Sequence, residues 1–338
     1  MIRSFRFFIF NLLLLVTFTG CKNDPLHVDI SDTDLQVEIQ RFDREVFNLN
    51  FDEIDQAISG FYDKYGDFYD VYNVHVINIG PASQKYYGSY LSMFVNDPDN
   101  YSVYEYTQEI FPDLTDSEVE LTAAFKRYHY HFPDSAVPEI VGYVSRFNHK
   151  LFTVENYIGL GLDQYLGRNC KFYDMLRTPR YMQYNMHPGK IPSDVVHVWG
   201  TAKFPYNDSI DNVLNRLVYN GLLLYFTDAL LPDMADSLKI GFSPDQLRFC
   251  QKHEKEMWTY LVEHKLLFST DLLEIRKLTD DAPTTYYFPG ESPGRAAVWL
   301  GWQIVREYAR RNPELSVAEI VSEQDYQKIL RIAKYNPR

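Results

Sequence analysis

One segment in the C-terminal third comes close to a zinc-protease motif. His253 is followed directly by Glu254, and Met257 stands where a second histidine would complete His-Glu-x-x-His. In that motif two histidines one helical turn apart bind the ion and the glutamate polarises a water, so the second histidine is essential. A methionine thioether suits Cu(I), and His264 lies roughly 16 Å further along a helix that rises 1.5 Å per residue. We therefore expect a helix with His253 and His264 at the edge of its apolar face.

His129 and His131 are the second candidates for metal binding. Alternate residues share a face in a strand but diverge by about 200° around a helix. Thr115 and Glu118 match the capping-box pattern, so we predict that a helix begins there and runs through both histidines. On a helix the two rings would point apart, and we expect them to be packed or surface residues.

Phosphate-binding glycine patterns are missing from the sequence. It contains no G-x-x-x-x-G-K-[ST] or G-x-G-x-x-G stretch, so a phosphate cradle lacks its glycines. Five aspartates without a partner at diagnostic spacing are expected to be helix caps and surface charges: Asp163, Asp174, Asp194, Asp208 and Asp211. Carboxylates that pair across the fold for glycoside hydrolysis stay an open alternative, because spacing does not report such contacts.

The elements that would position these residues are helices on both sides of a short strand region. Leu35–Ile39 alternates apolar and polar residues as a strand does, and Asn50 marks a helix start. We predict a hairpin from 139–145 and 151–154, then a strand over 157–162. Further helices are predicted over 193–199, 210–230, 243–267 and 292–311, the last two with serine caps before proline at Ser243-Pro244 and Ser292-Pro293. The fold class expected is α+β: a mainly helical single domain with a small antiparallel sheet in its middle.

The N-terminus predicts the compartment. Arg3 and Arg6 precede an apolar run over 7–18, which matches an export signal and is shorter than the roughly 20 residues of a membrane-spanning helix. Gly20 before Cys21 is the small residue and cysteine of a lipoprotein signal. We expect residues 1–20 to be removed, Cys21 to be lipidated and 21–34 to be a tether, with one domain over 35–338. Several acyl chains, at about 0.8 kcal/mol per CH₂, would make the anchor permanent.

Composition narrows the class of protein. The chain has 46 acidic and 33 basic residues, a formal net charge of −13, which disfavours nucleic acids and anionic lipid surfaces. Its 27 tyrosines and 23 phenylalanines are spread along the chain, which favours an aromatic core over a sugar- or peptide-binding groove. Besides Cys21 only Cys170 and Cys250 remain, so one disulfide is an open question.

Several segments resemble the gliding-motility lipoprotein B (GldB) family of gliding bacteria and their non-gliding relatives. The resemblance covers essentially the whole mature chain, and it is carried by 41–44, 157–167, Phe172-Tyr173, Pro179-Arg-Tyr181, 191–194, Trp199, Phe204-Pro205 and Trp299–Val305. It implies an envelope lipoprotein associated with the gliding machinery.

The chain also looks, more distantly, like a family of predicted zinc-dependent proteases. In those proteins one helix carries His-Glu-x-x-His and the next supplies a further acid. Here His197 is retained, whereas Val198 stands at the general-base position, Thr201 at the second ligand and Asn220 at the later acid. This resemblance implies a degenerate zincin-like scaffold in which metal binding and water activation are lost together. Without it, His197 is an ordinary helix histidine.

The sequence thus predicts a noncatalytic, lipid-anchored envelope protein that acts through contacts with envelope or motility proteins, without a cofactor. Lys22 and Asn23 after Cys21 lack an acidic retention residue, which favours the outer membrane, with the body in the periplasm. Two alternatives stay open: a zinc-dependent hydrolase using His253 and Glu254, and a sugar- or peptide-binding lipoprotein.

Overall fold

The structure is a computed structural model that describes residues 25–338. Its α+β class is as predicted: helices dominate and one small sheet lies among them. The predicted signal segment 1–20 and the lipidation site Cys21 lie outside the described residues. Cys170 and Cys250 are both buried free thiols.

The sheet has four short strands in the order β1-β2-β4-β3. They are β1 (Ile39–Arg41), β2 (Glu139–Tyr143), β3 (Leu151–Val154) and β4 (Tyr157–Gly161). β2 pairs in parallel with β1 and with β4, and only β3 and β4 are antiparallel.

The predicted antiparallel sheet is therefore mixed, and the hairpin predicted between 139–145 and 151–154 is wrong. The hairpin is β3–β4, because Val154 and Tyr157 pair directly across a two-residue turn with Glu155 at φ 47°. The loop after β2 instead carries the chain past β4 to the sheet edge.

The helices of residues 25–338 lie before and after the strand region. Those that precede β2 are α1 (Phe42–Phe47), α2 (Ile54–Tyr65), α3 (Asp67–Val71), α4 (Tyr87–Val95), α5 (Pro98–Ile110) and α6 (Thr115–His131). Those that follow β4 are α7 (Lys171–Met175), α8 (Arg180–Gln183), α9 (Ile191–Lys203), α10 (Val213–Leu230), α11 (Asp236–Ile240), α12 (Pro244–Lys252), α13 (Glu254–Glu263), α14 (Leu272–Thr279), α15 (Ala296–Arg311), α16 (Val317–Val321) and α17 (Tyr326–Ala333). No helix among residues 25–338 is long and apolar enough to cross a membrane.

Two hydrophobic cores lie on opposite faces of the sheet. Because successive strand side chains point to opposite faces, Ile140 of β2 joins the larger core with the later helices, and Val141 joins the smaller one with α1–α5. Phe42 is the centre of the smaller core. Five rings surround it edge-on at centroid distances of 5.0 to 6.0 Å: Phe61, Tyr65, Phe68, Tyr69 and Tyr72. Much of the aromatic content thus builds a core, as the sequence favours.

Helix α10 is the central helix of the larger core and packs against α9 and α15. Its crossing with α15 depends on glycine, since a Cβ at Gly301 would lie 1.9 Å from the carbonyl oxygen of Leu217. A Cβ at Gly221 would likewise lie 2.3 Å from the carbonyl oxygen of Gly301. The two backbones are therefore in direct contact, closer than any side chain allows.

Three predicted helix starts have different outcomes. Ser243 forms the predicted capping box with Gln246. Thr115 is not a cap: it lies inside α6, and Glu118 instead accepts a hydrogen bond from the backbone N–H of Ile39 at 2.9 Å, which holds β1. The helix predicted from Ser292 begins only at Ala296, after Arg295 in the left-handed region.

Candidate functional site

An open cleft of about 790 Å³ lies where the sheet meets α9, and we call it the central cleft. Helix α9 lines it with side chains three or four positions apart, which share one helix face: Asp194, His197, Val198 and Thr201. The loop before β3 adds Lys150, the start of α15 adds Arg295, and α7 and α8 border the cleft on a third side.

A carboxylate held between two ammonium groups forms one wall of the cleft. Oδ2 of Asp194 lies 2.6 Å from Nζ of Lys150, and Oδ1 lies 2.8 Å from Nζ of Lys190. The hydroxyl of Tyr165 donates to Oδ2 at 3.1 Å, and the Lys150 ammonium lies 4.8 Å from the centroid of that ring. We call Lys150, Asp194 and Lys190 the ion triad. It connects the loop before β3 to the start of α9, and the hydrogen bond of Tyr165 adds the helical turn after β4.

The two lysines determine the ionisation of Asp194. Burial by itself raises the pKa of this carboxyl, but Lys150 and Lys190 outweigh burial and lower the pKa far below its usual range. Burial lowers the pKa of Lys190, and Asp194 only partly offsets that effect. Asp194 is thus a permanently ionised structural anion, and the sequence-based expectation of a cap or surface charge is wrong for it.

His197, the histidine of the predicted protease-like pattern, lines the cleft. Burial, followed by the charges of Arg295 and Lys190, lowers the pKa of His197 to about 4. The ring is therefore neutral at physiological pH. Val198 beside it brings only methyl groups.

At the second-ligand and later-acid positions of that pattern, the side chains form hydrogen bonds to the helix backbone. Thr201 also lines the cleft, and its hydroxyl donates to the carbonyl of His197 at 3.0 Å. Asn220 is not among the cleft-lining residues, and its amide donates to the carbonyl of Arg216 at 2.8 Å. The structure brings His197 and Thr201 to one cleft, and α10 reaches that cleft one turn later, through Leu224.

A buried aspartate shapes the cleft edge formed by the loop after β2. Arg146 and Phe147 both have positive φ, 59° and 65°, which is costly for residues with side chains. Oδ2 of Asp163 accepts hydrogen bonds from the backbone N–H of Ser145 at 3.0 Å and of Phe147 at 2.7 Å, which offset that cost. Burial raises the pKa of Asp163 to about 6, although these hydrogen bonds act in the opposite direction. Asp163 is fully buried, so the surface-charge expectation is wrong for it as well.

Lys190 and Ser193 are in contact, as the members of a serine–lysine nucleophile pair would be. Nζ of Lys190 donates to Oγ of Ser193 at 2.8 Å, but the serine side chain is fully buried. Its hydroxyl also donates to the backbone carbonyls of Lys190 and Leu238. A nucleophile must reach its substrate, and the hydrogen bonds of this buried pair connect the start of α9 to the end of α11.

An exposed apolar rim borders the cleft on α7 and α8. Met175 is 75% exposed, Leu176 is 53% exposed and Met182 is 47% exposed, and the last two line the cleft directly. Large apolar side chains that cluster on a protein surface indicate a contact surface, and a methionine side chain can adapt its shape to different partners.

The residues of the near zinc motif lie elsewhere. His253 separates α12 from α13, so the continuous helix predicted over 243–267 is broken there, and its ring packs on Phe249 at a centroid distance of 4.6 Å. Glu254 accepts a hydrogen bond from the hydroxyl of Tyr335. Among residues 25–338 no group of three His, Cys, Asp or Glu side chains is placed to hold a metal ion.

His129 and His131 both lie on α6, as predicted. Burial, followed by the charge of Arg127, lowers the pKa of His131 to about 4. Their positions on one helix separate the two rings, so the helical prediction for this segment is confirmed.

Sequence analysis missed most of the groups that define the cleft. Lys150, Lys190 and Arg295 are isolated basic residues in the sequence, and only the fold places them around Asp194 and His197. One signal was available: Lys190 and Asp194 are four apart, the spacing of an ion pair on a helix face.

The structure defines a mainly helical α+β protein whose cleft combines an internal ion triad, a neutral histidine and an apolar rim. The chain belongs to the family of the gliding motility protein GldB, whose model matches residues 23–337. It is accordingly a gliding-motility lipoprotein, a membrane-anchored protein of the cell envelope. No curated protein and no solved structure matches the chain, so the likeness to zinc proteases stays a prediction.

Proposed function

We propose that this protein is anchored by lipid at Cys21 in the outer membrane, faces the periplasm, and acts without catalysis by binding an envelope or motility protein in the central cleft. The exposed rim of Leu176 and Met182 beside the cleft carries the proposal, because it offers apolar contact area next to fixed charges. Such a combination suits a peptide segment of a partner protein.

The chemistry of α9 supports a noncatalytic role. Hydrolysis needs a base that can take a proton from water, or a metal that lowers the pKa of that water. Among the cleft-facing groups of α9, His197 is a weak base because its pKa is lowered to about 4, Val198 has no proton acceptor, and the hydroxyl of Thr201 is hydrogen-bonded to the helix backbone. Asp194 is ion-paired to two lysines and is a poor base.

Charge supports an acidic segment as the occupant. Four cations line the cleft, of which Lys239 is paired with Asp228 at 2.8 Å. The other three, Lys150, Lys190 and Arg295, face two carboxylates, Asp194 and Asp281. The chain as a whole carries a net charge of −13, so this local excess of positive charge stands out. Opposite charge would direct an acidic partner segment to the cleft and away from the rest of the surface.

Crosslinking in intact envelopes tests the proposal. A photoreactive p-benzoylphenylalanine at Met182 should give a discrete protein adduct whose partner peptide mass spectrometry can identify. Met93 on α4 is the matched control, because it is an exposed methionine outside the central cleft. Equal labelling of the same protein from both positions, or no protein adduct from Met182, would contradict binding in the cleft.

A further inference from the structure

The first described residues lie along the body. Leu26, Val28 and Ile30 are half-buried, and Leu26 packs against the larger core. Nε2 of His27 lies 3.0 Å from Oδ1 of Asp233, and this hydrogen bond holds the segment after α10. Much of the predicted tether is thus attached to one particular face of the protein.

A cavity of about 1020 Å³ opens on that face, and we call it the N-terminal cavity. Pro25, Leu26 and Val28 form one side of it. Leu315, Val317 and Ile320, around the start of α16, bring apolar side chains from the body. A cavity walled in this way suits an apolar chain.

The charged side chains at the N-terminal cavity are ion-paired, and Arg310 pairs with Glu307 outside the lining. Nζ of Lys239 lies 2.8 Å from Oδ1 of Asp228, and Arg306 forms paired hydrogen bonds to both Asp228 and Asp236 at 2.8 to 2.9 Å. The indole N–H of Trp302 also donates to Asp228 at 2.8 Å. Both carboxylates that line the cavity are therefore paired with cations, so neither presents an uncompensated negative charge to a lipid at this site.

The chain length to the anchor is short. Cys21 precedes Pro25 by only four positions, so the two lie within roughly 14 Å even when the chain is fully extended. A lipid on Cys21 would therefore hold the mouth of the N-terminal cavity at the membrane surface. Tyr130, 57% exposed at the cavity, has the amphipathic ring that such interfaces favour.

We propose that the N-terminal cavity binds an acyl chain of a membrane phospholipid and seats the body on the bilayer with this face down. The inference rests on the proposed anchor at Cys21. The lipid tail would lie along Leu26, Leu315 and Val317, where burial of its methylene groups would stabilise the seated body. The lipid anchor then determines the orientation of the folded body on the membrane as well as its location.

Photocrosslinking from Tyr130 tests this seating in the full-length lipidated protein in intact envelopes. With p-benzoylphenylalanine at Tyr130, we expect a phospholipid adduct that mass spectrometry detects as an added lipid mass. Tyr286 is the matched control, an exposed tyrosine that is not part of the cavity. The adduct yield should be several-fold higher at Tyr130. Equal yields, or a protein adduct at Tyr130 in place of lipid, would overturn the inference.

A second variant separates seating from anchoring. Ten Gly/Ser residues inserted between Asp24 and Pro25 would add roughly 18 Å of flexible chain and should lower the lipid adduct at Tyr130 several-fold while leaving Cys21 lipidated. An unchanged adduct would contradict seating by the short link. The mass of the N-terminal peptide shows independently whether Cys21 carries a lipid. If it carries none, the proposed anchor and this inference are both contradicted. If Cys21 is lipidated but Tyr130 gives no lipid adduct, only this inference is contradicted.

Discussion

The ammonium nitrogen of Lys150 lies 2.6 Å from Oδ2 of Asp194, an ion pair that joins the loop before β3 to helix α9 across the central cleft. Lys190 holds the other oxygen of the same carboxylate from the buried side. The two lysines share one anion but differ in exposure, since the Lys150 side chain is 36% exposed and that of Lys190 only 6%.

This difference predicts unequal losses of stability. Lys150→Met should lower the free energy of unfolding by about 1 kcal/mol, the range of an exposed pair, because Lys190 still neutralises Asp194. Lys190→Met should cost about 3 kcal/mol, because a largely buried pair is broken. Urea unfolding of the two variants measures both values, and equal losses would show that burial does not determine the strength of the triad.

His197 predicts a loss of stability in mild acid. Its pKa of about 4 in the folded protein lies below the ordinary value of 6.5, so the unfolded chain binds more protons between these values. Stability linked to His197 is fully present above pH 6.5 and is lost as the pH falls toward 4. His197→Gln should remove about 3 kcal/mol of this dependence in chemical unfolding measured from pH 7 to 4. The exposed His75→Gln is the control, and an identical slope in both variants would disprove the assignment.

Asp163 predicts the opposite slope in an overlapping range. Its folded pKa of about 6 exceeds the ordinary 3.8, so the folded protein binds more protons and stability linked to Asp163 falls as the pH rises from 4 to 6. The unchanged protein should lose about 2 kcal/mol of stability across that window through Asp163, and Asp163→Asn should not show this loss. The difference between the two unfolding curves isolates Asp163 from the histidines. Exposed Asp116→Asn should leave the curve unaltered.

The contact of α10 with α15 predicts opposite effects of alanine at two helical glycines. Gly301→Ala would place a methyl group against the Leu217 carbonyl and should cost at least about 3 kcal/mol, because backbone must move. Gly60→Ala on α2 meets no atom within 4 Å and should stabilise by about 0.5 to 1 kcal/mol. Thermal unfolding of both variants tests the close approach, which a tolerated Gly301→Ala would rule out.

The anchor is tested directly at Cys21. Cys21→Ala removes the thiol that would receive the lipid, so the protein should pass from the membrane fraction to the soluble fraction of the envelope. Immunoblotting of the two fractions and the mass of the N-terminal peptide provide the measurement. A lipidated form that persists in the variant would refute the assignment of this cysteine.

Local patterns in the sequence predicted the helical part of the fold. The apolar spacing within α10 and the Ser243 capping box each depend on residues within a few positions of one another, and the structure contains both. The pairing of the strands was predicted wrongly. β2 pairs in parallel with β4, which is near in sequence, and with β1, which lies about a hundred residues earlier. Local patterns do not report a pairing between such remote segments. The Asp163 hydrogen bonds that direct the loop after β2 leave no local signal.

The sequence by itself determined the family and the mainly helical α+β class, and it led to the predictions of an anchor at Cys21 and of a protease-like pattern at His197, Thr201 and Asn220. Each of these depends on short segments whose residue types and spacing can be recognised without the fold. Only the tertiary structure decided that Asp194 is an ion-paired anion, that Lys150 and Arg295 share a cleft with His197, and that the predicted tether lies beside a cavity. Charge pairing, burial and cavities arise between segments remote in sequence, so they exist only once the chain has folded.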